Sequence, residues 1–300
     1  MIELEITPEF KKRIAEAIVR SFAMFPGKSY SQHAKSLGIN PSVYNRIKKG
    51  ETENVLATEK WIEIAVKLGV KRDGELEWKT AKTATYVFIS TQLEMCQRNH
   101  TCAIFCDEAG IGKTYTAKDY AQRHKNVIYI DCSQVKTRAE FIRYMAQEIG
   151  LKNQQRLYEV ERTLVLFLQN AKYSNPLIIL DEVGDLKYEA FLVLKKLWNA
   201  TEGCCAWYML GADGLAAKIT RGINSKKVGF AEIFDRFGAR YQSIVPNGNT
   251  RGSFLDDQAS AVIKVNAPQY QADAKALKEL ILKTESHLRR VYIELTKPQL

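Results

Sequence analysis

The sequence predicts an α/β fold: a parallel sheet with helices on both faces, an all-α module in front of it and a small helical segment behind. Three observations lead there. First, apolar runs of strand length at 101–105, 127–131, 177–180, 206–210 and 241–245 are interleaved with helical patterns at 84–98, from 115 onward, and at 138–149, 155–172 and 190–199. Alternation of this kind builds a parallel sheet. Second, the run at 101–105 passes through a Gly-rich turn, CDEAGIGKT at 106–114, straight into the helical pattern that starts near Tyr115. Third, the run PLIIL at 176–180 ends in paired carboxylates, Asp181 and Glu182. A buried parallel strand delivers its last side chains to the C-terminal edge of the sheet.

Strand, Gly-rich turn and helix is the setting that a phosphate-binding loop requires. Gly110 and Gly112 let backbone N–H groups converge on a phosphate with no Cβ in the way, and the helix N-terminus adds partial positive charge. The expected nucleotide-binding stretch is therefore Ala109, Gly110, Ile111, Gly112, Lys113, Thr114 and Tyr115. Lys113 is placed to reach the β- and γ-phosphates, and the Thr114 hydroxyl to take a position on Mg²⁺. Asp107 departs from the pattern, because a glycine usually stands there to ease the turn. Asp181 is expected to hold the Mg²⁺ through water, and Glu182 to polarise the water that attacks the γ-phosphate. An acidic pair after a strand is by itself an ordinary solvated strand end. Roughly seventy residues after a phosphate loop, with another strand pattern between, it becomes the second half of a nucleotide site. ATP and Mg²⁺ are the implied cofactors.

Composition narrows the setting. At 300 residues and 46% hydrophobic, the chain can bury a full α/β core and still carry smaller modules. No apolar run approaches the roughly eighteen residues of a membrane span, so no membrane partner is expected. The opening residues, with Glu3 and Glu5, lack signal-peptide architecture, which predicts an intracellular protein. Cys96, Cys102, Cys106, Cys132, Cys204 and Cys205 have no paired zinc spacing and read as reduced thiols. The 44 Lys and Arg outnumber the 34 Asp and Glu, for a net charge of +10. For a nucleotide-binding protein this leans toward nucleic acid, while an anionic surface or an inert basic exterior gives the same count.

The first seventy residues strengthen that lean. The segment AKSLGINPSVYNRIKKG at 34–50 has the spacing of a helix-turn-helix. Ala34 permits close helix packing, Gly38 makes the turn, Ile39 plugs the core, Asn40 caps the next helix and Pro41 takes its first position. Tyr44 and Ile47 then point inward, while Ser42, Val43, Asn45 and Arg46 face outward. This resembles the lambda-repressor-like family, with flanking helices near 8–22 and 56–68. In that family the outward face of the second helix enters the major groove. The resemblance puts Ser42, Asn45 and Arg46 on bases or sugars and Lys48 and Lys49 on phosphates. A small helical bundle used for protein contacts is the plainer reading of the same residues.

The expected domains are a helix-turn-helix module at 1–72, a charged linker at 73–83, an ATPase core at 84–250 and a C-terminal helical lid at 251–300. In this order the chain resembles the AAA+ superfamily, and within it the transposition target-capture ATPases. The motifs GIGKT at 110–114, IYIDC at 128–132 and LDE at 180–182 carry the resemblance locally. It implies a first sensor at the end of YMLGAD, served by Asp213 or the backbone near Gly211. It implies an arginine finger within FDRFGAR at 234–240, with Arg236 first and Arg240 in reserve; an intrasubunit salt-bridge arginine is the plainer alternative. From HLRR at 287–290, Arg289 would touch phosphate from the lid, or belong to a solvated basic helix face. Lys136, Thr137 and Arg138 start the helix after the second strand, where initiator-like ATPases contact DNA. Lys218, Arg221, Lys226 and Lys227 read as a second basic loop.

The resemblance further implies ATP bound between head-to-tail subunits, a ring or helical filament on duplex DNA, and release on hydrolysis. A transposase is the implied partner, and the cytoplasm of a prokaryotic or phage-infected cell the implied location. Two other readings use the same residues: a nucleotide-switched helix-turn-helix transcription regulator, and a replication initiator or helicase-loader type of ATPase.

Overall fold

The computed structural model describes residues 6–27, 29–72 and 78–297. Glu3, Glu5 and residues 73–77 of the expected linker lie outside the described residues.

The first module is a bundle of four helices: α1 (Pro8–Ser21), α2 (Tyr30–Ser36), α3 (Pro41–Lys48) and α4 (Thr58–Leu68). Thr7 caps α1 through a hydrogen bond from the Phe10 N–H, Ser29 caps α2, and Asn40 caps α3 with Pro41 at its first position. Ile14, Ile18, Ala34, Ile39, Tyr44, Ile47, Trp61 and Ile64 form its core. The turn between α2 and α3 places Tyr44 and Ile47 inward and leaves Ser42, Asn45, Arg46, Lys48 and Lys49 exposed.

One polar group in this core makes the module sensitive to acid. The His33 ring is 3% exposed and lies between the Tyr44 hydroxyl, 2.8 Å from Nδ1, and the Ser21 hydroxyl, 3.2 Å from Nε2. Burial, with Lys67 adding a smaller push, lowers its pKa to about 4. The fold thus holds the neutral ring, and the unfolded chain binds the extra proton between the two pKa values. Stability of the bundle is full above the unfolded value of 6.5 and falls as pH drops toward 4, by about 3 kcal/mol. Native-state hydrogen exchange of the α1–α4 amides in the full chain will read this. His33→Gln should flatten the pH dependence, and an unchanged slope would refute the assignment.

The bundle rests against the second part of the chain. Lys67 of α4 pairs with Glu148 at 2.7 Å, at the end of α7 (Arg138–Glu148). The Asn126 N–H donates to the Met24 carbonyl at 3.3 Å.

That second part is built on five parallel strands: β1 (Cys102–Cys106), β2 (Val127–Asp131), β3 (Leu177–Asp181), β4 (Ala206–Gly211) and β5 (Tyr241–Gln242), in the order β2-β3-β4-β1-β5. Alternate residues serve opposite faces. Ile104, Ile128, Ile178, Leu180, Trp207 and Met209 join one core, under α7, α8 (Leu157–Asn170), α9 (Tyr188–Thr201), α10 (Asp213–Asn224) and α11 (Phe230–Arg236). Phe105, Leu177, Ile179, Tyr208 and Leu210 join the other, under α5 (Ala84–Asn99) and α6 (Lys113–Arg123). Strands buried on both sides read as unbroken apolar runs, which is why these were visible in the sequence.

The lid consists of α12 (Thr250–Asn266), α13 (Ala274–Thr284) and α14 (Leu288–Thr296) around Ala259, Val262, Ile263, Leu280 and Val291. Among the described residues no helix is long and apolar enough to cross a membrane, and all six cysteines are free.

Three expectations change. The strand foreseen at 241–245 stops at Gln242, because the Ile244 and Val245 N–H groups donate to the Asp107 carboxylate at 2.6 and 3.0 Å instead of a ladder. The second basic loop is mostly helix: Lys218 and Arg221 lie on α10, and Lys226 and Lys227 follow it. The described end of the linker is no free tether, since Trp78 and Ala81 pack into the lid core.

Candidate active site

β1, β3 and β4 end at the same sheet edge, and their C-terminal residues start the site. After Cys106 the chain turns through Asp107 to Gly112, with Gly110 at φ +80° and Gly112 at φ +97°. A side chain at either position would be strained, and a Cβ on Gly110 would meet the His287 ring at 2.2 Å. α6 starts at Lys113, so its free N–H groups and positive pole face the turn. Lys113 is 7% exposed; its Nζ folds over the loop and donates to the Asp107 and Glu108 carbonyls at 2.7 and 2.5 Å. Burial lowers its pKa, against the pull of Asp107, Glu182 and Asp181.

Across the edge, Asp181 is 1% exposed. One carboxylate oxygen accepts from the Tyr129 hydroxyl at 2.8 Å and the other from the Glu182 N–H at 3.0 Å. Glu182 sits in the left-handed region, φ +52°, and opens the short turn Val183–Asp185. Burial first, then the neighbouring Asp181, raises its pKa. A carboxylate made more basic in this way suits a proton acceptor.

Between these groups lies a cavity of about 630 Å³. Its floor is Ala109, Gly110, Gly112, Lys113, Thr114 and Tyr115, with Glu182 and Ala212 opposite. Its far wall is aromatic. Trp78 meets Tyr292 edge-on at 4.8 Å, and Tyr86 donates to Asp119 at 2.7 Å. The lid closes the third side through His287, Leu288 and Arg289, and the Leu288 N–H donates to the Gly110 carbonyl at 2.9 Å. Apolar and aromatic surface at one end, with a cation and free N–H groups at the other, suits a nucleotide. The Thr114 hydroxyl and the Asp181 carboxylate are hard oxygen donors, which fit Mg²⁺.

Other expected residues lie elsewhere. Ile111 contributes its backbone to the turn, but its side chain is in the core. Asp213 is the exposed first residue of α10 and does not line the cavity; Ala212 does. Arg236 is half-buried with its guanidinium over Trp198, 4.8 Å from the ring centroid, packed inside its own subunit. Arg240, the reserve, is exposed.

The expected DNA contacts fall into two groups. On α3, Arg46 pairs with Glu51 at 2.7 Å, Lys48 lies 3.7 Å over the Tyr30 ring, and the Ser42 hydroxyl donates to Asn40. Asn45 is exposed on the same helix, and Lys49 is exposed just beyond its end. At the sheet edge, Lys136 pairs with Asp185 at 3.4 Å, and Lys227 lies 3.9 Å over the Tyr188 ring. Lys218 donates to the Gly184 and Leu186 carbonyls, the first at 2.8 Å. Thr137 is spent in a capping box with Glu140, and Arg138 pairs with buried Glu161 at 3.2 Å. Arg221 and Lys226 are exposed.

Sequence reasoning missed the aromatic wall and His287. Trp78 was the available signal, a large apolar ring in a charged stretch.

Residues 96–218 match the family model described as AAA domain. The ATP-dependent target DNA activator B of Escherichia phage Mu is 26% identical over 164 residues, covering 53% of this chain and 49% of that protein. Its counterpart of the same name from Escherichia phage D108 matches to the same extent. The chain therefore spans about half the length of the curated relatives it matches. The solved structure of the Aeropyrum pernix ORC1 protein in complex with DNA is 13% identical, with a TM-score of 0.45, covering 64% of this chain and 50% of that one. The parallel sheet, the phosphate-binding turn and the family match over 96–218 give this part of the chain the fold of an AAA P-loop NTPase, a domain type that generally binds and hydrolyses nucleotide. The chain is homologous over about half its length to the phage target DNA activators.

Proposed function

We propose that this protein is an ATP-dependent, largely sequence-nonspecific DNA-binding ATPase that assembles head to tail on duplex DNA, presents that DNA to a transposase and lets go on hydrolysis. One observation carries the reading beyond ATP binding. Lys136 and Lys227 lie beside the turn that follows Glu182, next to the nucleotide cavity, so basic surface and hydrolysis site share one sheet edge.

In this mechanism Lys113 leaves the loop carbonyls for the β- and γ-phosphates, and Thr114 and Asp181 would hold Mg²⁺, which would neutralise developing phosphate charge. The aromatic wall takes the base, and Arg289 approaches the phosphates from the lid. Glu182 takes a proton from the attacking water. Exposed cations bind DNA through phosphates, which makes affinity fall steeply with salt. The exposed face of α3 supplies a second contact in the manner of a helix-turn-helix.

Arg240 is the better candidate for the trans arginine finger, since Arg236 is committed to Trp198 within its own subunit. Arg240→Ala and Lys113→Ala should each abolish hydrolysis alone. Mixed together they should regain part of it, because one variant keeps a competent cavity and the other keeps the finger. A mixture that stays inactive would place Arg240 outside the shared site.

The assembly itself is tested by sedimentation on short and long nonspecific duplexes. ATP should drive cooperative binding that grows with duplex length. Binding to one discrete short sequence, indifferent to nucleotide, would instead favour a transcription regulator.

A further inference from the structure

Glu182 is held by its backbone, and that backbone is in an uncommon place. Its φ of +52° and ψ of 42° belong to the left-handed region, so the turn after it needs outside support to keep the carboxylate aimed at the cavity. The support is asymmetric. On one side the Lys187 N–H donates to the Lys136 carbonyl at 2.8 Å, and the Lys136 ammonium pairs with Asp185 across an exposed 3.4 Å gap. On the other side Lys218 reaches from α10 and donates to the Gly184 and Leu186 carbonyls, flanking Asp185. Its ammonium lies over the Phe191 ring, 6.0 Å from the centroid. Leu215, one turn earlier on α10, packs against both Gly184 and Gly211, so the helix is seated where β3 and β4 end. Two of the three ammonium donors are spent on main-chain carbonyls, and the group is partly withdrawn from solvent.

We propose that Lys218 is a positioning residue for hydrolysis, holding the turn that carries Glu182, and not a contact to DNA. This rests on the reading of Glu182 as the residue that activates water. α10 begins directly after β4, so Lys218 ties the segment beyond β4 to the acidic end of β3. A displacement of α10 would be felt at Glu182 without any change in the phosphate-binding turn.

The test compares Lys218→Met, which keeps the aliphatic stem and removes the donors, with Lys218→Arg, which restores a cation able to serve two carbonyls. Three quantities are read: hydrolysis rate, affinity for a fluorescent ATP analogue, and DNA affinity with ATP over a range of salt. The Met variant should lose about tenfold or more in kcat, with nucleotide affinity kept within about twofold. Its DNA salt dependence should be unchanged, and the Arg variant should lie between it and the parent protein. A normal kcat with weaker DNA binding and a salt slope reduced by about one would make Lys218 a phosphate contact and overturn the proposal. If the Met variant does not fold, Lys218→Gln, which cannot bridge both carbonyls, decides: full kcat refutes the positioning role, while reduced kcat at unchanged DNA affinity supports it. Glu182→Gln, run alongside, separates the two readings. If it leaves hydrolysis intact, the assignment of Glu182 fails and this one with it; if only the Lys218 variants are normal, Lys218 alone is misassigned.

Discussion

Glu182→Gln will slow ATP hydrolysis by about a hundredfold or more while ATP stays bound, because a positioned general base typically contributes at least that much. Glutamine keeps the size and the hydrogen-bonding reach of the side chain but cannot accept a proton from water. It leaves untouched the groups that hold phosphate: Lys113, the turn glycines and Thr114 line the floor of the cavity independently of Glu182. On DNA, the substituted protein should persist in its ATP-bound assembly. The same residue sets a pH limit. Burial and Asp181 raise the Glu182 pKa, so the carboxylate becomes protonated, and hydrolysis fails, at a higher pH than for an ordinary glutamate. Steady-state hydrolysis across pH, with ATP affinity measured beside it, checks both points. A variant that hydrolyses normally would remove Glu182 from the reaction.

The second large effect runs against the motif. Asp107→Gly restores the residue that phosphate loops usually carry at this position, yet it should destabilise the protein. Asp107 is 5% exposed, and one of its oxygens accepts the Ile244 and Val245 N–H groups at 2.6 and 3.0 Å. Its other oxygen accepts the Glu108 N–H at 2.8 Å. Hydrogen bonds to a charged group contribute about 1.5–3 kcal/mol each, so losing the pair should cost about 3–6 kcal/mol. There is a functional cost too. Residues 244 and 245 lead into the lid, and Glu108 in the same loop makes a bidentate pair with Arg251 of α12, at 2.5 and 2.7 Å. The loop is thereby fastened to the lid base, and loosening it should weaken ATP binding as well. Denaturant unfolding and an ATP titration will show both losses, with Asp107→Asn intermediate, since one amide oxygen can still accept. A glycine variant as stable as the parent protein would mean that the carboxylate carries no such load.

These two residues mark how far the sequence could be read. The strands of the sheet were legible because their apolar runs are buried on both faces and bounded by turns. The phosphate turn and the acidic pair were legible because their chemistry fixes their spacing. Asp107 was visible only as a deviation, since the Ile244 and Val245 N–H groups it holds lie more than a hundred residues away and are backbone atoms with no signature of their own. The helices between 213 and 236 were missed for a related reason. Gly214, Gly222 and Gly229 give that stretch the look of a loop, yet Gly222 is there because the Phe230 ring packs where its Cβ would be, at 2.3 Å. Tertiary contact overrode local propensity. Arg236 was preferred over Arg240 on order along the chain alone, and nothing local signalled that Trp198 would hold it. Trp78 likewise acquires its role only when α14 brings Tyr292 to it.

In the proposed mechanism, nucleotide state governs the grip on DNA. This is tested most directly by titrating the protein onto a long nonspecific duplex with ATP, with ADP and without nucleotide, following anisotropy at fixed salt. Tight, cooperative binding should appear with ATP only, be lost in Lys113→Ala and be prolonged in Glu182→Gln. Equal affinity in all three nucleotide states would contradict it.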